Sequence, residues 1–189
     1  MVTPGSRSAG VFVVSGPTAV GKGTVVARLK ELHPELFVSI SATTRAPRPH
    51  EMDGVHYHFV TEDDFDHLIA EDGLLEWACV HGSNRYGTPR RPVEEALARG
   101  QIVILEIDLQ GAEQVRRTLP QAVEIFLSPP SWQCLVQRLS GRGTETPEQM
   151  QRRLETARHE MAHAQDLDHV VVNDRIEDAV AKLVSLLGL

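Results

Sequence analysis

The sequence has few cysteines, few aromatic residues and no long apolar run. Only two of its 189 residues are cysteines, Cys79 and Cys134, and aromatic residues make up 5%. Two cysteines cannot form a framework of disulfide pairs, and both lie in apolar patterns, so we expect buried thiols and a cytoplasmic location. A bilayer-spanning helix needs about 20 predominantly apolar residues. No segment approaches that length, so we expect no membrane interaction.

The sequence also lacks an excess of positive charge. Its 19 lysines and arginines stand against 26 acidic residues, a net charge of −7, which argues against a protein that coats nucleic acid. Residues 1–10 are polar, are rich in small residues and contain no apolar core, so we expect a disordered leader. The length and the 41% hydrophobic content predict a single domain with a substantial core. The sequence leaves the oligomeric state, monomer or dimer, open.

A glycine-rich turn has the clearest chemical meaning in the chain. It follows an apolar run at 11–14, which predicts a buried parallel strand, and precedes Val25, Val26, Leu29 and Leu32, which are spaced like one face of a helix. A strand, such a turn and a helix together predict a P-loop, in which backbone N–H groups and a lysine bind phosphates. The residues of this turn, to which the family resemblance described below gives ATP binding, are Gly16, Pro17, Thr18, Ala19, Val20, Gly21, Lys22, Gly23 and Thr24.

This turn departs from the strict P-loop pattern at one position and from nucleotide kinases at another. The strict pattern has Ser or Thr directly after the lysine to hold Mg²⁺, whereas this chain has Gly23 there and Thr24 one position later. A Mg²⁺ ion would therefore depend more on water, on the nucleotide phosphates and on distant carboxylates. Ala19 lies where a third glycine is common in nucleotide kinases.

The rest of the pattern predicts an α/β fold with a parallel sheet flanked by helices. Predicted strands at 37–40, 102–107, 123–127 and 170–172 alternate with predicted helices. Between 41 and 88 the pattern changes to a proline-rich irregular segment at 41–49, a half-exposed strand at 55–60, a helix opened by Thr61, and strands at 74–80 and 86–88. This segment predicts a small, mixed and mostly antiparallel lobe.

Two arginines in this lobe form a candidate phosphate site. Arg45 and Arg48 lie in the proline-stiffened segment, with Ser41 before them and Tyr57 after them. Guanidinium groups present paired donors and stay charged, which suits a phosphate. Any single arginine is more often a solvated surface residue, but the pair beside a P-loop favours phosphate binding.

Glu76 is a candidate base-reading residue. It lies between Leu75 and Trp77, and a carboxylate among large apolar residues is costly unless it binds something. Guanine offers an N–H and an amino group side by side, which one carboxylate can accept together, whereas adenine lacks that pair of donors. The alternative is that Glu76 points to water from the exposed face of a strand.

Two carboxylates end the strongest predicted strand. Glu106 and Asp108 lie on the same side of the chain at the carboxyl end of that strand, where ligands bind in open parallel sheets. Either could hold Mg²⁺ through water or contact the base. The competing interpretation is a carboxylate that caps the helix starting nearby.

Three arginines lie in or near Gly141-Arg142-Gly143, a segment predicted to interrupt the helical pattern. Arg138, Arg142 and Arg153 are the residue type that a phosphoryl-transfer enzyme closes over the transferring group, so we predict a mobile lid here.

One motif predicts different chemistry. His159-Glu160-Met161-Ala162-His163 matches the zinc-peptidase pattern H-E-x-x-H and lies on a predicted helix. The helix is highly polar, which is typical of a solvent-exposed helix. A zinc site would also need a third ligand, and the nearby candidates, His169 and Glu177, lie in no metal-binding pattern. We therefore expect no zinc.

Taken together, the motifs resemble those of the guanylate kinase family over nearly the whole chain. They lie at 15–24, 41–49, 53–59, 75–78, 86–88, 106–111, 141–146 and 171–174. The resemblance implies ATP-dependent phosphorylation of GMP, and of dGMP, to GDP with Mg²⁺. It also implies a core at 11–40 and 89–189, a GMP-binding lobe at 41–88 and a helical lid at about 140–153. We expect direct in-line transfer.

The resemblance also implies a role for each matching residue. Ser41, Glu76, Thr88 and Asp108 would read guanine, and Arg45, Arg48, Tyr57 and Tyr86 would hold the GMP phosphate. Lys22, Arg142 and Arg153 would act on the ATP phosphates, with Arg138 also on the ATP side, and Asn173 would lie near adenine. Besides Ala19, the departures are Glu106, where an aspartate is common, and one extra residue in 82–85.

Two other functions stay open at this point. One is a guanylate-kinase-like binding module that has lost catalysis, and the other is a P-loop kinase for a different small acceptor. An eroded P-loop and missing phosphate arginines would indicate the first, but Lys22, Arg45, Arg48, Arg142 and Arg153 are all present. Glu76 argues against adenine nucleotides as acceptors in the second.

Overall fold

The computed structural model of the chain describes residues 10–80, 84–141 and 146–189. Three sequence predictions fall partly or wholly outside these residues: the leader at 1–9, part of the long turn at 82–83, and Arg142 in the predicted lid. The described residues divide into two compact units.

The described residues form nine strands, seven α-helices and one short 3₁₀ helix. The strands are β1 (Val11–Ser15), β2 (Phe37–Val38), β3 (Ala42–Thr43), β4 (His58–Phe59), β5 (Leu74–Val80), β6 (Asn84–Pro89), β7 (Val103–Glu106), β8 (Val123–Ser128) and β9 (His169–Val172). The α-helices are α1 (Lys22–Leu32), α2 (Glu62–Ala70), α3 (Arg90–Ala98), α4 (Leu109–Thr118), α5 (Trp132–Ser140), α6 (Pro147–Ala162) and α7 (Ile176–Leu187), and the 3₁₀ helix is Ala164–Asp166.

One unit contains the described parts of Phe12–Glu35, Glu106–Leu109 and Val123–Leu189. In it β8 lies between β1 and β9, and all three strands are parallel, with Val14 opposite Ile125 and Leu127 opposite Val171. Strands that are covered on both faces are apolar throughout, and β1 and β8 are almost completely buried. Helices α1 and α7 pack against each other through their apolar faces.

The other unit contains the described parts of Met1–Val11, Leu36–Leu105 and Gln110–Ala122. Strands β2 and β7 form a parallel pair in it. A separate four-stranded sheet has the order β4-β3-β6-β5, with a parallel β3–β4 pair and antiparallel pairs elsewhere. Ala42, Phe65 and Leu74 form the buried core that joins this sheet to α2. The predicted α/β fold with a parallel sheet is confirmed.

Two predictions about this mixed sheet are wrong. The proline-rich segment was expected to be irregular throughout, but Ala42–Thr43 precede its prolines and form β3, which pairs with β6. The expected strand at 55–60 is reduced to His58–Phe59, because the chain turns at Gly54, whose φ is +71°. The apolar alternation that suggested the longer strand therefore belongs partly to a turn, where Val55 is exposed.

The expectation of buried thiols is also wrong. Cys79 is exposed and Cys134 is half-buried, and both are free. Cys79 lies on β5, where the first three residues are buried and exposure then alternates, so that Cys79 falls on the exposed side. Leu32, expected on the buried face of α1, is likewise exposed at the end of its helix.

Helix boundaries follow local capping. Thr61 accepts from the N–H of Asp64 and caps α2 in a capping box, and Thr146 forms a second capping box with Gln149 at the start of α6. Helix α2 ends at Ala70. After it, Asp72 takes the left-handed conformation and the N–H of Gly73 donates to the carbonyl oxygen of Leu68. Among the described residues, no helix has the length and apolar character that crossing a membrane requires.

Candidate active site

The glycine-rich turn between β1 and α1 forms a loop against β8. Gly16 has φ +141°, and an added Cβ there would overlap the carbonyl oxygen of Leu127. Gly21 has φ +98°, and an added Cβ would lie 2.8 Å from the Nδ2 atom of Asn173. Glycine is therefore required at both positions by conformation and by space.

Ala19 holds a left-handed conformation without being glycine, with φ +64°. For an L-residue with a Cβ this conformation costs about 1 kcal/mol or more. The position therefore explains why a glycine is common there, and it marks a strained point in this loop.

Helix α1 begins at the lysine of the loop and presents an open N-terminus. Its N-cap, Gly21, has no side chain to cap the first N–H groups, and the first turn carries no acidic residue. These N–H groups and the helix dipole favour an anion. The ammonium group of Lys22 donates to the carbonyl oxygen of Gly16 over 2.5 Å, so the lysine lies along the loop.

Two residues that were predicted to act on the ATP side form hydrogen bonds with the backbone of the loop. The Nδ2 group of Asn173 donates to the carbonyl oxygen of Val20 over 2.8 Å, and Arg138 donates to the same oxygen over 3.2 Å. Asn173 is buried, and its Oδ1 atom has no hydrogen-bond partner among the residues that the structure describes. These contacts hold the loop backbone, while the predicted contact of Asn173 with adenine stays a prediction.

Three carboxyl groups act electrostatically in the neighbourhood of Lys22. Burial raises the pKa of Glu106 above its ordinary value, and Lys22 acts in the opposite direction. The carboxylate oxygens of Glu106 lie 3.6 and 3.8 Å from where a Cβ on Gly23 would be, so the missing side chain leaves room beside this carboxylate. Asp108 and Glu160 are the other two groups.

Glu160 is a further candidate site residue, which the sequence analysis considered only as part of the H-E-x-x-H pattern. It is 8% exposed on α6, and burial raises its pKa to about 7, with Lys22 lowering and Asp108 raising it. These two effects connect Glu160 electrostatically with the lysine of the P-loop. The sequence feature that could have indicated its burial is its position on the less polar face of α6, which also carries buried Ala157. The preceding residue, His159, is exposed.

The histidines of the H-E-x-x-H pattern lie together on α6. The rings of His159 and His163 have centroids 4.3 Å apart, and Nδ1 of His163 lies 2.8 Å from the carbonyl oxygen of His159. Within residues 10–80, 84–141 and 146–189, no group of three or more His, Cys, Asp or Glu side chains is arranged to hold a metal ion. The pattern therefore has no third ligand among these residues.

In the other unit, Arg45 is the centre of a hydrogen-bonded cluster. Its Nε donates to the hydroxyl of Tyr86 over 3.0 Å, one terminal nitrogen donates to the carbonyl oxygen of Ala46, and the other donates to Glu51 over 2.9 Å. Arg45 also lies over the ring of Tyr57, 5.4 Å from its centroid. The structure therefore brings Arg45, Tyr57 and Tyr86 together, as the sequence predicted.

Glu51 completes this cluster and was missed from the sequence. Its second carboxylate oxygen accepts from the backbone N–H of Arg48 over 2.7 Å, so it fixes the loop that carries both arginines. The hydrogen bond from Arg45 holds the pKa of Glu51 below its ordinary value. The signal was the spacing Arg-x-x-Arg-x-x-Glu at 45–51, which brings the acid back to the arginines across a turn.

Glu76 is buried rather than exposed, so the alternative of a solvated side chain is wrong. It is 5% exposed, and the hydroxyl of Thr88 donates to it over 2.6 Å. The two residues are direct cross-strand partners on β5 and β6. Ser41 is half-buried just before β3, and Arg48 is exposed on its loop.

Comparison with known proteins agrees with this geometry. A family model described as guanylate kinase matches residues 8–188. The guanylate kinase of Cutibacterium acnes is 64% identical over 179 residues, which cover 95% of this chain and 90% of that relative. The guanylate kinase of a Mycobacterium species is 57% identical over 178 residues, covering 94% and 90%.

The chain belongs to the guanylate kinase family. A solved structure of guanylate kinase from Anaplasma phagocytophilum also matches, with a TM-score of 0.79 and 32% identity over 96% of this chain and 86% of that one. As a member of the guanylate kinase family the chain is an enzyme, a nucleoside monophosphate kinase. This result decides against the two alternatives that the sequence left open.

The strain at Ala19 gives a first prediction. Ala19→Gly should raise the free energy of unfolding by about 1 kcal/mol, because glycine adopts a positive φ without steric cost. Chemical denaturation measures it. The control is Ala27→Gly on the exposed side of α1, where helical φ makes glycine destabilising by about 1 kcal/mol. Equal effects of the same sign at both positions would contradict the assignment of strain.

The raised pKa of Glu160 gives a second prediction. Its pKa is about 7 in the fold against a reference value of 4.5, so the unfolded chain releases the proton first as pH rises. The resulting penalty is absent below the reference value, grows between the two pKa values, and reaches at most about 3 kcal/mol above the higher one.

Glu160→Gln should therefore stabilise the nucleotide-free protein at pH 8 and have little effect at pH 4.5. Urea denaturation at the two pH values measures the difference. Glu155→Gln, at an exposed position on the same helix, is the control and should change little at either pH. A Glu160→Gln effect that is independent of pH would show that the carboxyl titrates normally.

Proposed function

We propose that this enzyme transfers the γ-phosphoryl group of ATP in line to the phosphate of GMP, without a covalent enzyme intermediate. The overall reaction, ATP-dependent phosphorylation of GMP to GDP, follows from membership of the guanylate kinase family. The observation that supports the proposal is that each of the two units, in its described residues, holds a cluster of cationic and neutral donors suited to a phosphate. One is the P-loop with Lys22, and the other is centred on Arg45.

On the ATP side, the loop backbone from Gly16 to Thr24 would bind the phosphates, with Lys22 on the outer ones. The open N-terminus of α1 supports this role. Arg153, which is half-buried on α6, and Arg142, which lies outside the described residues, would act on the transferring group. Arg138 and Asn173 would hold the loop, with Asn173 also near adenine.

The residues near the loop fit a Mg²⁺ ion bound with ATP. Mg²⁺ prefers oxygen ligands and usually keeps several waters. Glu106 offers a carboxylate beside the open space at Gly23, and Asp108 follows two residues later. These two residues would hold the ion through water, in place of the serine or threonine that the strict pattern supplies. When bound, the ion neutralises phosphate charge.

On the GMP side, the Arg45 cluster would bind the substrate phosphate. Arg45, Arg48, Tyr57 and Tyr86 supply cationic and neutral donors. In the structure, Arg45 donates to the carboxylate of Glu51 and to a backbone carbonyl. A phosphate is an anion with several acceptor oxygens, so it can replace these partners without leaving the guanidinium unpaired.

Glu76 would read the base, together with Ser41, Thr88 and Asp108. The hydroxyl of Thr88 donates to one oxygen of Glu76 and orients the carboxylate. A carboxylate can accept about four hydrogen bonds, so Glu76 could also accept from the N–H and amino groups of guanine. Adenine does not present this pair of donors. None of these roles involves the ribose, so we propose that dGMP is also a substrate.

The proposed chemistry needs positioning and charge rather than a general base. A phosphate monoester has a second pKa of about 6, so GMP is already mostly a dianionic nucleophile at neutral pH. Lys22 and the arginines would hold two mutually repelling anions in line and stabilise the charge of the transition state. Closure of a lid at about 140–153 would keep water from taking the phosphoryl group.

We also propose the organisation and location expected from the sequence. Residues 41–88 would form the GMP-binding lobe, and residues 11–40 and 89–189 would form the core. Both cysteines are free thiols, which supports a reducing compartment such as the cytoplasm.

Replacement of Lys22 tests the ATP side. Lys22→Met should lower kcat by about 10²- to 10³-fold, because it removes a charged donor from the transferring group. The melting temperature should stay within about 2 °C, since Lys22 contributes one hydrogen bond to the fold. Lys182→Met, at an exposed position on α7, is the matched control. Near-normal turnover of Lys22→Met would refute the role.

Replacement of Glu76 tests the base assignment. ADP production is measured with ATP and each of GMP, dGMP, AMP, CMP and UMP. GMP and dGMP should be the efficient acceptors, and Glu76→Gln should lower kcat/KM for both by about 10²-fold or more, since an amide cannot accept both guanine donors. Glu94→Gln, exposed on α3, should change nothing. Phosphorylation of AMP in preference to GMP would overturn the assignment.

A further inference from the structure

Arg85 is an arginine that the proposed mechanism does not use, although it lies directly before Tyr86. Its side chain is only 16% exposed. The terminal nitrogens form ion pairs with Glu62 and Asp66 of α2, each at 2.5 Å, and one also donates to the carbonyl oxygen of Glu62 over 2.8 Å. The guanidinium lies over the ring of Phe65, 4.7 Å from its centroid. The charged end of Arg85 therefore contacts two carboxylates, a backbone carbonyl and an aromatic ring of α2.

The backbone of Arg85 is joined to Thr44. The N–H of Arg85 donates to the hydroxyl oxygen of Thr44 over 3.0 Å, and the N–H of Thr44 donates to the carbonyl oxygen of Arg85 over 3.1 Å. The Thr44 hydroxyl also hydrogen-bonds to Glu62, which holds the pKa of that carboxyl below its ordinary value. Glu62 thus contacts both residues, and the three form a closed arrangement with α2.

The next residue in each of the two segments belongs to the phosphate cluster. Arg45 follows Thr44, and Tyr86 follows Arg85. Their side chains meet, with Nε of Arg45 donating to the Tyr86 hydroxyl over 3.0 Å. A shift of the Arg85–Thr44 pair would therefore move both phosphate-binding side chains, and displacements of about 1 Å are enough to weaken a positioned site strongly.

Helix α2 has packing and capping contacts besides those with Arg85. Phe65 is fully buried in a core with Ala42 and Leu74, and a capping box closes the N-terminus of the helix. Glu62 and Asp66 are largely exposed, and ion pairs with exposed partners contribute little to stability. We therefore expect the ion pairs of Arg85 to contribute more to the position of the backbone around Arg85 than to the stability of the fold.

We propose that Arg85 is a positioning residue for GMP, which uses Glu62 and Asp66 of α2 to fix the Thr44–Arg85 pair and thereby the phosphate-binding side chains of Arg45 and Tyr86. The proposal rests on the proposed function, in which Arg45 and Tyr86 hold the GMP phosphate. It adds a role for α2 that no motif in the sequence indicates.

The test compares the binding of GMP with that of guanosine, which lacks the phosphate. Arg85→Lys keeps the charge but loses the planar fork that contacts two carboxylates. Calorimetric titration should show GMP affinity weakened by about tenfold, while guanosine affinity and KM for ATP are unchanged. Asp66→Asn should give a smaller change in the same direction. Arg91→Lys, an exposed arginine paired with Glu95 on α3, is the matched control.

Several outcomes would overturn the inference. Unchanged GMP affinity in Arg85→Lys would do so, and parallel weakening of GMP and guanosine would show a merely structural role. If Arg85→Lys fails to fold, the test uses Asp66→Asn, which keeps the arginine. An unchanged ratio of GMP to guanosine affinity in Asp66→Asn would then overturn the inference. Arg45→Met in the same titration separates this inference from the proposed function: an unchanged ratio of GMP to guanosine affinity there would refute the phosphate role of Arg45 itself.

Discussion

The close approach of the P-loop backbone to strand β8 is the constraint on which the ATP side depends. Gly16 lies so near the carbonyl of Leu127 that no side chain fits, and this contact sets where the loop leaves β1. Val20 is then held by Asn173 and Arg138 through a single carbonyl oxygen. The loop is therefore held at both ends, and in the proposed function little of the energy of phosphate binding would be lost in ordering the N–H groups at the start of α1.

The constraint on the proposed GMP side is different. There Arg45 must stay charged and in place before the phosphate of GMP binds. An unpaired, partly buried arginine is costly. Arg45 avoids that cost through Glu51, Tyr86 and the carbonyl of Ala46. In the proposed function the same contacts would weaken GMP binding, because the phosphate would have to displace some of them. Glu51 orders the loop through the N–H of Arg48, and in that proposal it would also limit the affinity for GMP.

Sequence reasoning succeeded where chemistry and spacing are local. The glycine-rich turn between β1 and α1 and the buried strand β7 each depend on residues close together in the chain. It failed where burial depends on the register between strands. Glu76 is buried because a register shift between Leu74 and Glu76 places it opposite Thr88, whereas simple alternation left its side of the sheet undecided. Cys79 was expected inside because its neighbours are apolar, yet alternation on β5 turns it outward.

The H-E-x-x-H segment shows why a motif needs its surroundings. Residues four apart on a helix share a face, and the stacked rings of His159 and His163 do so. Glu160 lies about 100° around the helix from its neighbour, which is enough to bury it while His159 stays exposed. A metal bound by the histidines would therefore lie on the outer side, whereas the carboxyl responds to Lys22 and Asp108. The acid that the zinc pattern assigns to a metal-bound water thus belongs electrostatically to the nucleotide loop.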